Sequence, residues 1–162
     1  MTGELAVYRT ELKDLLDRLS ASVEGLDEEQ LNWRPPTSDS NSVYVIAAHI
    51  LGNLEAWVLG IACEQPIERD RPAEFRAAGP DAAALIALAA KLARRFDETL
   101  GALAPAALDE VREPPASLTS RGVGPAEPLT ARGALMLTVQ HAATHLGQLD
   151  ITRDWAQVSG KG

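Results

Sequence analysis

Two histidines one helical turn apart, His141 and His145, are the residues in this sequence best placed to do chemistry. They stand in the run Thr138-Val-Gln-His141-Ala-Ala-Thr-His145-Leu-Gly-Gln148-Leu. On an α-helix, residues four apart lie on the same face with Cβ atoms roughly 6 Å apart. Two imidazoles so placed can converge on one metal ion, at bond lengths of about 2.0–2.1 Å. The remaining histidine, His49, lies far upstream in another apolar helical segment. Supplied from a facing helix, it would complete a three-nitrogen site with open positions for water or substrate. Three neutral imidazoles suit Zn, Ni, Fe or Cu without choosing among them.

The surroundings of the pair sharpen this expectation. Thr138, His141, His145, Gln148 and Thr152 form a polar stripe flanked by Leu135, Leu137, Val139, Leu146, Leu149 and Ile151. A polar line between apolar flanks faces a core, where polar groups are costly unless partnered. The competing explanation is that each histidine is a satisfied core residue, hydrogen-bonded across the molecule. A zinc protease would carry Glu beside its first histidine, but Ala142 stands there. A ferritin-like di-iron centre would need inward glutamates, and Glu55 and Asp150 are out of register for it. A single ion on imidazoles is the remaining metal chemistry. Gln148, one turn past His145, and Asn53, one turn past His49, are candidates to orient a ligand ring or a substrate. For both, a plain interhelical hydrogen bond is the alternative.

Four helical segments must position these rings. The first, about Gly3 to Val23, has Leu5, Tyr8, Leu12, Leu15, Leu16, Leu19 and Val23 at three-and-four spacing, with Gly25 as its stop. Asp27 to Gln30 has the pattern of a capping box, ended by Asn32-Trp33-Arg34-Pro35-Pro36. Asn41 or Ser42 would cap the second segment, Val43 to Ala62, which is apolar almost all round and so buried on several sides. In it Val45, His49, Gly52, Asn53 and Ala56 share a face, and the small residues leave room beside the ring. Residues 63–80 are expected to form a long crossover loop. Asp81 caps a third segment with the stripe Leu85, Leu88, Leu92, Phe96, Leu100 and Leu103. Prolines and glycines then break the pattern from Glu113 to Pro128, before a fourth segment from Thr130 to about Trp155. No strand is expected. The domain expectation is a single all-α four-helix bundle over 1–156, with at least one crossover, and a flexible tail over 157–162.

The chain has 162 residues, enough for one domain with a real core. Its formal net charge is −8 with scattered basic residues, the wrong sign for a phosphate-binding surface, so nucleic acid is not an expected partner. Charges interrupt the N-terminal stretch where a signal peptide needs an apolar run, and no span of a bilayer is expected, so no membrane partner is either. The single cysteine, Cys63, cannot form an intrachain disulfide and has no electropositive neighbours in sequence. The expected compartment is the cytoplasm.

Three stretches resemble the DinB/YfiT-like family: Leu31-Asn32-Trp33-Arg34-Pro35; Ser42 through Trp57 with Ala48-His49-Ile50; and His141-Ala-Ala-Thr-His145-Leu-Gly147-Gln148, followed by Arg153. The resemblance implies a four-helix bundle of up-down-down-up topology, a divalent metal on His49, His141 and His145, and frequent homodimers. Family members of known activity include transferases and isomerases that use a low-molecular-weight thiol such as mycothiol, bacillithiol or glutathione. The functional expectation is therefore a metal-dependent enzyme on a small-molecule substrate, foremost an S-transferase that activates a thiol for attack on an electrophile. A metal-dependent hydrolase, a haem or metal-binding protein without turnover, and a purely structural bundle remain the alternatives. Trp33 and Trp57 are expected to be packing residues.

Overall fold

The computed structural model describes residues 3–119 and 127–159. Gly122 and Gly124 of the expected breaker region, and residues 160–162 of the expected tail, lie outside the described residues. Helix α1 (Glu4–Val23) buries Leu12, Leu15, Leu16, Leu19 and Val23, the face that the spacing gives. It stops where Gly25 takes a left-handed φ of 77°, a conformation costly for any residue with a Cβ. Helix α2 (Glu28–Asn32) opens with the expected capping box. The Gln30 N–H donates to Asp27 Oδ1 at 2.8 Å, and the Asp27 N–H donates to Gln30 Oε1 at 3.2 Å.

Ser42, not Asn41, caps α3 (Val43–Leu54), its Oγ accepting from the Val45 N–H at 3.3 Å. The helix does not end at Leu54 but widens into a π-helix, Glu55–Ala62. The widened hydrogen bonding reaches the cap, where the Cys63 N–H donates to the Val58 carbonyl at 3.1 Å. Val43–Ala62 has the length and hydropathy of a bilayer span, contrary to the expectation that no segment would, yet 72% of it is buried inside the bundle. Its apolar surface is taken up by the other helices.

The crossover at 63–80 is more structured than expected. It contains a one-turn helix, α4 (Arg71–Glu74), whose Asp70 cap accepts from the Ala73 N–H at 3.0 Å. Helix α5 (Ala83–Ala102) follows, with the Ala83 N–H donating to Asp81 Oδ1 at 2.9 Å. It buries Leu85, Ala89, Leu92, Phe96 and Leu100, while Leu88 and Leu103 pack at the edge of the core.

A 3-10 turn (Pro105–Asp109) leads to strand β1 (Val111–Arg112), which pairs antiparallel with β2 (Leu129–Thr130). The expectation of no strand is thus corrected. Two-residue strands leave no alternation to read, and Arg112 rather than an apolar side chain is the buried member, donating to the Ala62 carbonyl at 3.2 Å. The last helix, α6 (Ala131–Ser159), continues past Trp155, so residues 157–159 of the expected tail are helical.

Cross-helix pairs fix the topology. Arg9 at the start of α1 meets Asp97 near the end of α5 at 2.5 Å, so these two run antiparallel. Glu4 meets Arg132 and Ser22 meets Asp150, so α1 and α6 run parallel. Asn53 meets Thr138 while His49 meets His141, so α3 and α6 run antiparallel. The bundle is up-down-down-up, with the one crossover, between α3 and α5, that this order demands.

Candidate metal centre

The antiparallel crossing of α3 and α6 brings all three histidines together. Their ring centroids are 5.2 Å (His49–His141), 5.1 Å (His49–His145) and 4.4 Å (His141–His145) apart. One ring nitrogen from each lies within 4.8 Å of the others. His49 is 6% exposed, and its two partners are half-buried.

Hydrogen bonds behind two of the rings decide which nitrogen faces inward. The His49 Nδ1–H donates to Glu74 Oε2 at 2.8 Å, which leaves Nε2 as a lone pair. The His145 Nδ1–H donates to Gln148 Oε1 at 2.9 Å, with the same result. His141 Nε2 lies 3.2 Å from His49 Nε2. An ion with bonds of about 2.1 Å at angles between octahedral and tetrahedral holds neighbouring nitrogens roughly 3.0–3.4 Å apart. The observed separation falls in that interval, so the donor set fits a nitrogen-loving divalent ion.

The electrostatics keep the His141 ring in its ligating form. Burial, and then the neighbouring His145, His49, Arg69 and Arg71, push the pKa of His141 down to about 4, so it is neutral at pH 7. Glu74 is an ion-pair carboxylate. Burial acts to raise its pKa, but hydrogen bonds from His49 and Arg69 and their charges outweigh it and hold the group below its usual value.

Glu74 was not legible as a site residue. It comes from α4, inside a stretch with no periodicity, yet it joins the site to the rest of the crossover. Arg69 Nε donates to Glu74 Oε1 at 2.7 Å, Arg69 Nη2 donates to Oε2 at 3.0 Å, and Arg69 Nη1 donates to the Leu118 carbonyl at 2.9 Å. Gly52 on α3 makes the approach possible, because a Cβ there would lie 2.3 Å from Glu74 Oε1. The small face beside His49 is therefore occupied by a carboxylate.

The other candidates divide. Gln148 sits directly behind the His145 ring. Asn53 does not touch the rings. Its Oδ1 accepts from Thr138 Oγ1 at 3.0 Å in a buried interhelical bond. Arg153 faces Asp150 and Asp154 instead of the histidines. Glu55 pairs with Arg95 at 2.5 Å, away from any metal role. Cys63 is unsuited to nucleophilic work, since burial pushes its thiol up to about 11 despite the nearby Arg112.

A cavity of about 160 Å³ opens at the triad, bordered by His49, His141, His145, Gln148, Arg71 and Phe75. A wider groove of about 410 Å³ lies along α6 at Trp57, Leu137, Gln140 and Thr144, with His141 and His145 also on its wall.

A family model described as the DinB superfamily matches residues 11–149. The chain belongs to the DinB superfamily. Among solved structures, a DinB-like protein from Bacillus cereus ATCC 10987 has a TM-score of 0.66 at 15% identity, over 88% of this chain and 86% of that one. A DinB-like protein from Bacillus subtilis, YjoA, has a TM-score of 0.60 at 17% identity, over 99% of this chain and 94% of that one. At such identities the likeness is one of fold. A search of curated proteins finds no match. Membership in the DinB superfamily agrees with the bundle topology, and the histidine cluster of this DinB-like chain is a possible three-nitrogen metal site.

Proposed function

We propose that this DinB-like protein is a metal-dependent enzyme, an S-transferase that joins a low-molecular-weight thiol to a small electrophile. The observation that carries the reading is the presentation of three ring nitrogens to one cavity, with His49 and His145 each oriented from behind by a hydrogen bond. His49, His141 and His145 would hold a divalent transition ion such as Zn, Ni or Fe. When bound, such an ion supplies Lewis acidity that lowers the pKa of a coordinated thiol.

The chain's own residues supply the rest. Glu74 fixes the His49 tautomer and raises the basicity of that ring, and Gln148 does the first of these for His145. The cavity walls hold the electrophilic carbon near the sulfur. The carbon–sulfur bond forms as the leaving group departs with its bonding pair, and the thiol proton passes to solvent. Hydrolysis is the weaker version, because both Glu74 oxygens are engaged by Arg69 and His49 and, among the described residues, no carboxylate borders the cavity. The cytoplasm, where such thiols are kept reduced, is the compartment that suits this chemistry.

The test is a chromogenic-electrophile assay on protein loaded with Zn, Ni or Fe, run with mycothiol, bacillithiol, glutathione and cysteine in turn. A metal-dependent rate above background with one of them is expected. A rate no greater than that of the free thiol with all four discards the transferase.

A further inference from the structure

Two arginines stand at the start of the crossover helix, Arg69 before it and Arg71 at its first position, and they are treated differently. Arg69 spends its donors on both oxygens of Glu74 and on the Leu118 carbonyl. Arg71, two residues on, borders the histidine cavity yet has no ion pair or hydrogen bond among the described residues. Its Nε–H is buried and is the one buried side-chain polar atom among the described residues without a partner. Its guanidinium lies over the Phe75 ring, 4.7 Å from the centroid. Phe75 packs in turn against His49, with centroids 5.1 Å apart. The cation is thus braced on an aromatic face at the edge of the cavity.

A buried charged donor with no acceptor is expensive, whereas a planar guanidinium matches a carboxylate through two parallel hydrogen bonds. We propose that Arg71 is the anchor for a carboxylate on the substrate, so that the site selects small carboxylic acids over their neutral analogues. The inference deepens the enzymatic reading above and rests on it for the word substrate. Three features favour a carboxylate over a phosphate. Among the described residues the cavity has one uncompensated positive charge, that of Arg71, since Arg69 is neutralised by Glu74. The fork of a single guanidinium matches the two oxygens of a carboxylate and leaves a third phosphate oxygen unmatched. The cavity, about 160 Å³, also limits the occupant to a few carbons. The side-chain amides of Asn41 and Gln148, on the same wall, can donate to the outer oxygen lone pairs.

The test uses uniformly ¹⁵N-labelled full-length protein, in metal-free and zinc-loaded forms. The Arg71 Nε–H cross-peak is assigned by its loss in Arg71→Met, and acetate, acetamide and inorganic phosphate are titrated separately, with calorimetry in parallel. Saturable movement of the peak with acetate, and none with acetamide, is expected. Arg71→Met should weaken acetate binding roughly tenfold or more, the effect of deleting a charged hydrogen-bond partner. Arg71→Lys, which keeps the charge and loses the fork, should fall between, and an unchanged circular dichroism spectrum in both variants separates this loss from misfolding. No acetate binding in either form, equal acetate affinity in Arg71→Met, or tighter binding of phosphate than of acetate would each overturn the proposal. A protein that takes up no zinc but still binds acetate at Arg71 keeps the anion site and removes the metal reading.

Discussion

At the scale of single residues, each histidine ring has a definite hydrogen-bonding neighbour, and that makes individual substitutions informative. Replacing His49, His141 or His145 by Ala should bring zinc below one equivalent per chain after dialysis, read by elemental analysis. A full equivalent retained by His141→Ala would place the ion elsewhere. Glu74→Gln keeps the shape of the side chain but not its charge, and should weaken zinc binding about 10–100-fold, as the loss of a carboxylate behind a ligand histidine does. Cys63 gives a pH prediction of known sign. Its pKa is pushed up to about 11, so the folded protein holds it as a thiol through neutral pH. Labelling by a disulfide reagent should be slow at pH 8, rise toward pH 11, and become fast at pH 8 once denaturant unfolds the chain. Rapid labelling of the native protein at pH 8 would contradict this. The histidines were visible in the sequence because a polar pair at helical spacing between apolar flanks must be partnered, by an ion or by hydrogen bonds. Glu74, Arg69 and Arg71 were not, since they stand in or just before a four-residue helix among prolines and charges, where spacing carries no signal.

At the scale of elements, helix α3 and the crossover are matched surfaces. Gly52 is the point of contact, and Gly52→Ala would push a methyl group into the Glu74 carboxylate, which Arg69 and His49 hold in place. We expect folding to survive and zinc affinity to drop about tenfold or more, in the range seen when such a supporting carboxylate is lost. An unchanged affinity by calorimetry would show that the carboxylate can step aside. The four long helices were readable because each buries one stripe at three-and-four spacing, Leu12 to Val23 on α1 and Leu85 to Leu100 on α5 being the clearest. The π-helical stretch was not readable, because Val43–Ala62 is apolar on nearly every side and no face marks its register. The β1–β2 pair escaped for a different reason, two residues per strand being too few to show a period.

At the scale of the whole molecule, an ion shared by α3 and α6 would tie together segments 92 residues apart in sequence. Zinc at about a hundredfold excess over its dissociation constant should stabilise the fold by about 2.7 kcal/mol, seen as a higher melting temperature. No shift at that excess would argue for a scaffold without an ion. The outer face of α6 carries Leu137, Ile151 and Val158 at intervals of fourteen and seven residues, with Met136 and Trp155 beside them, all exposed. A second copy packed there is our proposal for the homodimer. Sedimentation should then give twice the 17.3 kDa chain mass, and Ile151→Glu should return it to one. The turn of π-helix after Leu54 bears on how this sequence can drift. Deleting one residue there would restore tighter winding and swing everything on one side of the cut by about 100° against the other. Either His49 would leave its partners or Val58 and Ile61 would turn toward solvent. Gaps in the alignment of close descendants should therefore fall outside 55–62.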